Sequence, residues 1–321
     1  MRDVVGALRA YLPWEAVEVT GPVPTGDMPG DRVAIGPQHV ATANALFGAL
    51  VAELLPVLAA SPSTRAVVAV SGGSGVGKSE VGSLVSHLLR AVGVGAYTLS
   101  GDNYPRRIPA QNDAERLRVF RDAGTRGLVT DGLVTPERTA TLRALQAADA
   151  DADPAQVPEH PWLAAYQRAG RGGLAGYLGT PAEIDFDHLS AILAEFKNGA
   201  ARVHLRRLGR GVTDLWYEAV DVEDVDVLVV EWTHGLSRHL RGVDVGILLG
   251  STPAETLAHR RARGRDGGTD SPFTTLVLGL EQELLEVQAA DARIIWAKSG
   301  DRLTYPGYRA LMARTAAGDD D

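Results

Sequence analysis

Residues 72–79 read GGSGVGKS and fit the spacing G-x-x-x-x-G-K-[ST] with Gly72, Gly77, Lys78 and Ser79. That spacing binds phosphate. Glycines let successive backbone N–H groups turn inward around phosphate oxygens, and the helix that follows points its positive end at them. The backbone of Gly73, Ser74, Gly75, Val76 and Gly77 is the expected cradle. Lys78 is expected to reach the β- and γ-phosphates, and Ser79 to hold Mg2+ through its hydroxyl. The expected ligand is a nucleoside triphosphate. A phosphate loop alone does not separate a kinase from a GTPase, a motor ATPase or a nucleotide-gated binder.

Transfer of a phosphoryl group to a small molecule needs three further things: a carboxylate to take the hydroxyl proton, an acid beside the metal, and cations over the transferring group. Each has a candidate. Asp102, in Ser100-Gly101-Asp102-Asn103-Tyr104, follows a strand-like run and is the expected base or metal-linked acid. Its bland alternative is an Asx-turn residue before Pro105. Glu231 ends another apolar run and is the expected metal-side acid. Arg260, Arg261, Arg263 and Arg265 cluster on an arginine-rich helical stretch, with Arg261 and Arg265 the expected nucleotide contacts. Tyr104, Arg106, Arg107, Arg206 and His234 are candidate acceptor ligands, and an arginine fork there fits an anionic acceptor. Arg207 and Arg210 extend the second basic cluster, and His204 is a further polar candidate. Trp216 and Tyr217 can stack on a base or sugar, but core packing is the expected role. The eight histidines show no H-E-x-x-H spacing. A GTPase normally carries N-K-x-D; the comparable stretch, Ala297-Lys298-Ser299-Gly300-Asp301, lacks the Asn and has the Asp one position late. A motor ATPase usually ends its acidic strand with two acids, whereas Glu231 is followed by Trp232.

These groups need a scaffold. RAVVAVS (65–71) is a continuous apolar run leading into the glycines, the mark of a strand buried on both faces. SEVGSLVSHLLRAVG (79–93) then places Val81, Leu84, Val85, Leu88 and Leu89 on one helical stripe. Further strand-like runs occur at 95–104, 225–231, 243–250 and 292–300, and helical patterns at 181–199 and 255–266. Strands alternating with helices predict an α/β fold with a mainly parallel sheet. Residues 1–64 read as a lead-in packed on the core, with a Gly/Pro-rich loop at 20–31. Residues 105–182 look less regular, and the acidic, Pro-containing segment 147–161 reads as a mobile surface loop.

Composition excludes several classes. With no cysteine there is no disulfide, thiolate metal site or cysteine nucleophile. A net charge of -8 over 321 residues argues against a general nucleic-acid partner. The most apolar stretch, 44–60, is interrupted by Glu53 and Pro56, so a core or surface helix is expected, with no membrane partner. The start carries charges at Arg2, Asp3 and Arg9 and lacks the apolar run of a secretion signal, so a cytoplasmic protein is expected. Of the 32 basic residues only Lys78, Lys197 and Lys298 are lysine.

Over roughly residues 65–300 the sequence resembles the uridine kinase/phosphoribulokinase family of P-loop kinases. VAVSGGSGVGKS (68–79) is similar to that family's phosphate loop, and GDNY (101–104) resembles its G-D-S-F or D-x-F-Y element. PAEIDFDHL (181–189) resembles the uridine kinase stretch P-x-x-x-D-x-x-x-L, EWTHG (231–235) the phosphoribulokinase E-G-L-H-G, and RRARGRD (260–266) the lid R-R-x-x-R-D. The resemblance implies a P-loop kinase domain over 65–316, a substrate-side insertion at 105–182, an arginine lid at 255–270 and an acidic tail at 317–321. It implies ATP and Mg2+ as cofactors, Asp102 as base, a hydroxyl acceptor such as a nucleoside or sugar phosphate, and a homodimer or larger assembly. One departure stands out: the family's E-G dipeptide is Glu231-Trp232 here. GDN at 101–103 also resembles the D-G-D-N element of adenylylsulfate kinases, an alternative alongside a chaperone-like, nucleotide-gated NTPase.

Overall fold

The computed structural model describes residues 3–31, 33–209, 211, 213–252, 255–256 and 271–317. In chain order the elements are α1 (Val4–Arg9), α2 (Pro37–Ala60), β1 (Ala66–Gly72), α3 (Lys78–Ala91), β2 (Ala96–Ser100), α4 (Pro109–Thr130), α5 (Pro136–Ala147), α6 (Leu163–Ala175), α7 (Phe186–Lys197), β3 (Arg202–Leu208), β4 (Leu215–Asp221), β5 (Val227–Glu231), β6 (Val245–Gly250), α8 (Pro272–Gln288), β7 (Ile294–Ala297), β8 (Arg302–Leu303) and α9 (Tyr305–Ala317). The chain forms two compact units. One comprises residues 1–104, 185–256 and 285–321, the other 105–184 and 257–284.

The first unit is built on a sheet of order β2-β5-β1-β6-β7-β8. All neighbours pair in parallel except β7 and β8. This is the mainly parallel α/β class expected from the alternation of patterns. The central strands are buried along their whole length, which explains their unbroken apolar runs. Alternate residues serve opposite faces. Ala66, Val68 and Val70 of β1 join Val81, Leu84 and Leu88 of α3 and Leu46, Leu50 and Leu54 of α2 in one core. Ala69 instead joins Leu248, Ile295, Tyr308 and Met312 in another. Helix α2 is long and apolar enough to cross a membrane, but its Leu46, Phe47, Leu50 and Leu54 are fully buried in that first core.

The register places the carboxyl ends of three strands side by side. Val70 of β1 and Ser100 of β2 both flank Glu231, the last residue of β5. In a parallel sheet this edge is where ligands bind. Helix α7 starts at Phe186, capped by Asp185, several residues later than Pro181 implied, and ends before Gly199, whose φ is +87°. Strands β3 and β4 pair as an antiparallel hairpin that was not apparent from the sequence.

The second unit is helical, correcting the irregular reading of 105–182. Helices α4 and α6 approach closely through glycines: a Cβ on Gly127 would stand 2.3 Å from Ala169 Cβ, and one on Gly173 2.3 Å from Ala123 Cβ. The expected mobile loop at 147–161 is also corrected. Asp151 is 1% exposed; it accepts hydrogen bonds from Arg121 Nη2 at 2.9 Å and from the Tyr166 hydroxyl at 2.7 Å. Acidic composition implied solvation, but the partner arginine lies on α4, far away in sequence.

Candidate active site

The phosphate loop turns off the end of β1. Gly75 (φ +79°) and Gly77 (φ +96°) adopt left-handed conformations that L side chains resist, so the glycine spacing is a backbone requirement. Gly77 is also the N-cap of α3, and the positive end of that helix faces the loop it closes. Lys78 Nζ donates to the Gly73 carbonyl at 3.0 Å, folding the lysine back over the cradle. Gly73, Ser74, Gly75, Val76 and Gly77 thus form a loop of the expected shape.

Glu231 stands beside it. Its carboxylate is 3% exposed and its Oε2 accepts the Ser79 hydroxyl at 3.0 Å. Helix α3 comes this close because residue 82 is glycine; a Cβ there would lie 3.1 Å from Glu231 Cβ. Burial, then the charge of Asp102, push the Glu231 carboxyl up to about 8, while Ser100, Lys78 and Ser79 pull it down. A buried carboxylate repelled by a second one, with a hydroxyl already directed at it, is a donor set short of positive charge. Ser79 and Glu231 fit Mg2+, with Asp102 near enough to feel the same charge. Among the described residues no cluster of three His, Asp or Glu forms a closed metal cage. Mg2+ does not need one, because it takes one or two carboxylates beside phosphate oxygens.

Asp102 sits exposed on a single 3-10 turn, Gly101–Asn103, whose flanking residues are buried. Trp232, the departure from the family pattern, packs against this turn. A Cβ on Gly101 would fall 2.1 Å from the indole Cγ. The indole is 2% exposed, with the rings of Phe186 and His234 at 5.3 and 5.4 Å. It fills core beneath the turn.

One group near this turn has no signal in the sequence. Asp27, in the lead-in loop, has a side chain only 8% exposed. Its Oδ1 accepts the Ser100 backbone N–H at 2.7 Å and Asn103 Nδ2 at 3.2 Å; its Oδ2 accepts Arg207 Nη1 at 2.9 Å and the Tyr97 hydroxyl at 3.2 Å. Burial pushes the Asp27 carboxyl up, opposed by the Arg207 charge and these donors. Asn103 in turn accepts the Leu208 N–H at 3.0 Å, tying the turn to β3.

The remaining candidates divide. Arg207, expected as one of a basic cluster that could contact substrate, is committed to Asp27 and to Glu218, each at 2.9 Å. Arg206 is buried, 7% exposed, with no ion pair to any described residue and its Nε without a hydrogen-bond partner. Its cross-strand neighbour is Tyr217. Trp216 and Tyr217 are 46% and 55% exposed, against the core role expected for them, because β4, half of a two-stranded sheet, is exposed along most of its length among the described residues. The Tyr217 ring lies 5.6 Å from that of His188, which lies 5.6 Å from that of Tyr104. Tyr104 itself is fully buried, so direct acceptor contact is corrected to a packing role beneath the turn. His234 is buried against Trp232. Arg106 and Arg107 belong to the second unit, where Arg106 Nε donates to the Pro181 carbonyl at 2.8 Å and Arg107 Nη1 to the Tyr177 hydroxyl at 2.9 Å. Arg210, Arg260, Arg261, Arg263 and Arg265 lie outside the described residues.

No protein-family model matches the chain. Among curated proteins it is similar to the bifunctional alpha-galactosidase/sucrose kinase of Mediterraneibacter gnavus, at 37% identity over 236 residues. That match covers 74% of this chain, and the chain spans about one fifth (20%) of that protein's length. Among solved structures it is similar to D-glycerate 3-kinase from Cryptococcus neoformans (14% identity, 81% of this chain and 98% of that one, TM-score 0.44). Phosphoribulokinase from Rhodobacter spheroides is a second (17% identity, 73% and 70%, TM-score 0.43). On its own strand order, loop geometry and Ser79–Glu231 contact, the chain is a P-loop α/β protein.

Proposed function

We propose that the protein is an ATP-dependent, Mg2+-requiring kinase that transfers the γ-phosphoryl group to a hydroxyl of a sugar, with sucrose the first acceptor to test. The observation that carries this reading is the convergence of Ser79, Glu231 and the charge of Asp102 beside the phosphate loop. Backbone amides of 73–79 and Lys78 hold the β- and γ-phosphates. Mg2+, held by Ser79 and Glu231, supplies positive charge to the phosphate oxygens. Asp102 orients the acceptor hydroxyl and takes its proton as the oxygen bonds to the γ-phosphorus and ADP leaves. Arg261 and Arg265 are proposed to add charge over the transferring group.

Two observations support a sugar as the acceptor. The similar protein combines two activities, and the one that requires a phosphate loop is the kinase; cleaving a glycosidic bond uses paired carboxylates and no nucleotide. Arg206 is buried with no salt bridge to a described residue and its Nε without a hydrogen-bond partner, and such a group is costly unless a ligand engages it. With the exposed Tyr217 ring beside it, it offers hydrogen bonds and an apolar face to a sugar. Such an enzyme works in the cytoplasm, where its ATP is.

The test is mass spectrometry of a sugar panel, sucrose included, incubated with ATP, Mg2+ and the protein, with Lys78→Ala as the blank. A phosphate added to one sugar by the wild type alone is expected. ADP formation that no sugar stimulates but a protein partner does would replace this reading with the nucleotide-gated NTPase.

A further inference from the structure

We infer that Asp27, on the loop before α2, is the residue that positions Asp102, so that the segment preceding the phosphate loop is part of the catalytic apparatus. The inference deepens the kinase reading and rests on it for the role of Asp102.

Three observations carry it. First, Asp102 sits on a turn bracketed by Ser100 and Asn103, and one oxygen of Asp27 accepts hydrogen bonds from both, at 2.7 and 3.2 Å. The turn is thus gripped on either side of its central residue, whose own side chain stays exposed. Second, the other oxygen of Asp27 holds Arg207 at 2.9 Å and Tyr97 at 3.2 Å. Arg207 reaches on to Glu218, and Leu208 donates to Asn103, so the hairpin β3–β4 and the turn are registered through the same carboxylate. Third, the loop is close to the metal-side acid: a Cβ on Gly26 would lie 3.8 Å from Glu231 Oε1 and 3.6 Å from Thr98 Cγ2. A buried carboxylate with this many donors is a costly choice for packing alone. Two of its four partners, Ser100 and Asn103, flank Asp102, and the other two, Tyr97 and Arg207, lie on β2 and β3.

Asp27→Asn keeps the size and an oxygen acceptor but removes the charge that holds Arg207. Misplacing a catalytic group by about 1 Å costs on the order of 100-fold in rate. The expected result in Asp27→Asn is a fall in kcat of about that size, with ATP affinity, read by a fluorescent ATP analogue, unchanged. The discriminating measurement is the pair with Asp102→Asn. If Asp27 acts by placing Asp102, Asp27→Asn adds little further loss in an Asp102→Asn background. Wild-type turnover in Asp27→Asn, or losses that multiply in the double variant, would overturn the inference. Hydrogen exchange gives a readout independent of any acceptor. Peptides covering Ser100–Asn103 should exchange faster in Asp27→Asn while those of β1 do not, and unchanged protection there overturns the clamp. If the wild type phosphorylates no sugar, the kinase reading fails and the exchange result still decides the clamp.

Discussion

Replacing Glu231 by Gln should stabilise the protein while disabling it. The carboxyl is 3% exposed, and burial with the Asp102 charge raises it from an ordinary 4.5 to about 8. Each tenfold change in proton affinity is about 1.4 kcal/mol, so at pH 7, where the folded carboxyl is still largely protonated and the unfolded one is ionised, the shift costs the free protein about 3 kcal/mol. Its folded pKa is the higher one, so the folded state binds more protons than the unfolded state between the two values. Wild-type stability therefore falls as pH rises from about 4.5 to about 8 and levels off beyond. Glutamine removes the charge and still accepts from Ser79, and a gain of about 1–3 kcal/mol at pH 8 is expected after imperfect repacking. Near pH 4, where both side chains are neutral, the gain should disappear and only the repacking cost of glutamine should remain. The assay is thermal or urea unfolding of both proteins at several pH values, without and with Mg2+ and ATP. Adding Mg2+ and ATP should raise the wild-type midpoint more than that of Glu231→Gln, because the charge that destabilises the free protein is the charge that holds the cation. A Glu231→Gln protein destabilised equally at pH 5 and pH 8 would refute the argument, showing that the carboxylate is stabilising in the fold.

Three further outcomes are expected. Asp102→Asn should lower phosphoryl transfer by about 10²–10⁴-fold with ATP affinity intact, measured by single-turnover transfer and nucleotide titration. Gly101→Ala drives a methyl into the Trp232 indole and should cost about 1–3 kcal/mol in urea unfolding; most of that loss should vanish in a Trp232→Ala background. Arg206→Met should raise the acceptor KM at least tenfold while unfolding stability holds or rises, because the guanidinium it removes is buried with no carboxylate partner among the described residues.

The sheet and the phosphate loop were legible because their signals are local. A strand buried on both faces must be apolar throughout, and Gly75 and Gly77 are dictated by backbone angles that few other residues adopt. Glu231 and Asp102 were legible for a related reason: both lie at carboxyl ends of parallel strands, and the sheet brings those ends together whatever the loops do. What escaped was pairing over long separations. Arg207 reads as one of several cations until Asp27, 180 residues earlier, is found against it. Asp151 reads as one of a run of solvated acids until Arg121 and Tyr166 are found around it. The hairpin β3–β4 escaped although Val203 and Leu205 alternate with Arg202, His204 and Arg206, because Arg207 breaks that alternation after five residues and LWYEAVD in β4 does not repeat it.

The pairing also explains how a chain of net charge -8 presents a site for anions. Net charge counts every acid, but a ligand meets only groups that have no closer partner. Around the turn that carries Asp102, Asp27 neutralises Arg207. The hydrogen bond of Lys78 Nζ goes to the Gly73 carbonyl, a contact that phosphate oxygens readily displace. Arg206 is held by no described carboxylate. Among the described residues this leaves Lys78 in the phosphate loop and Arg206 on the hairpin without a salt bridge, with Asp102 and Glu231 the acids that the proposed mechanism uses. That division matches what phosphoryl transfer needs: positive charge at each substrate, and a carboxylate where the hydroxyl gives up its proton.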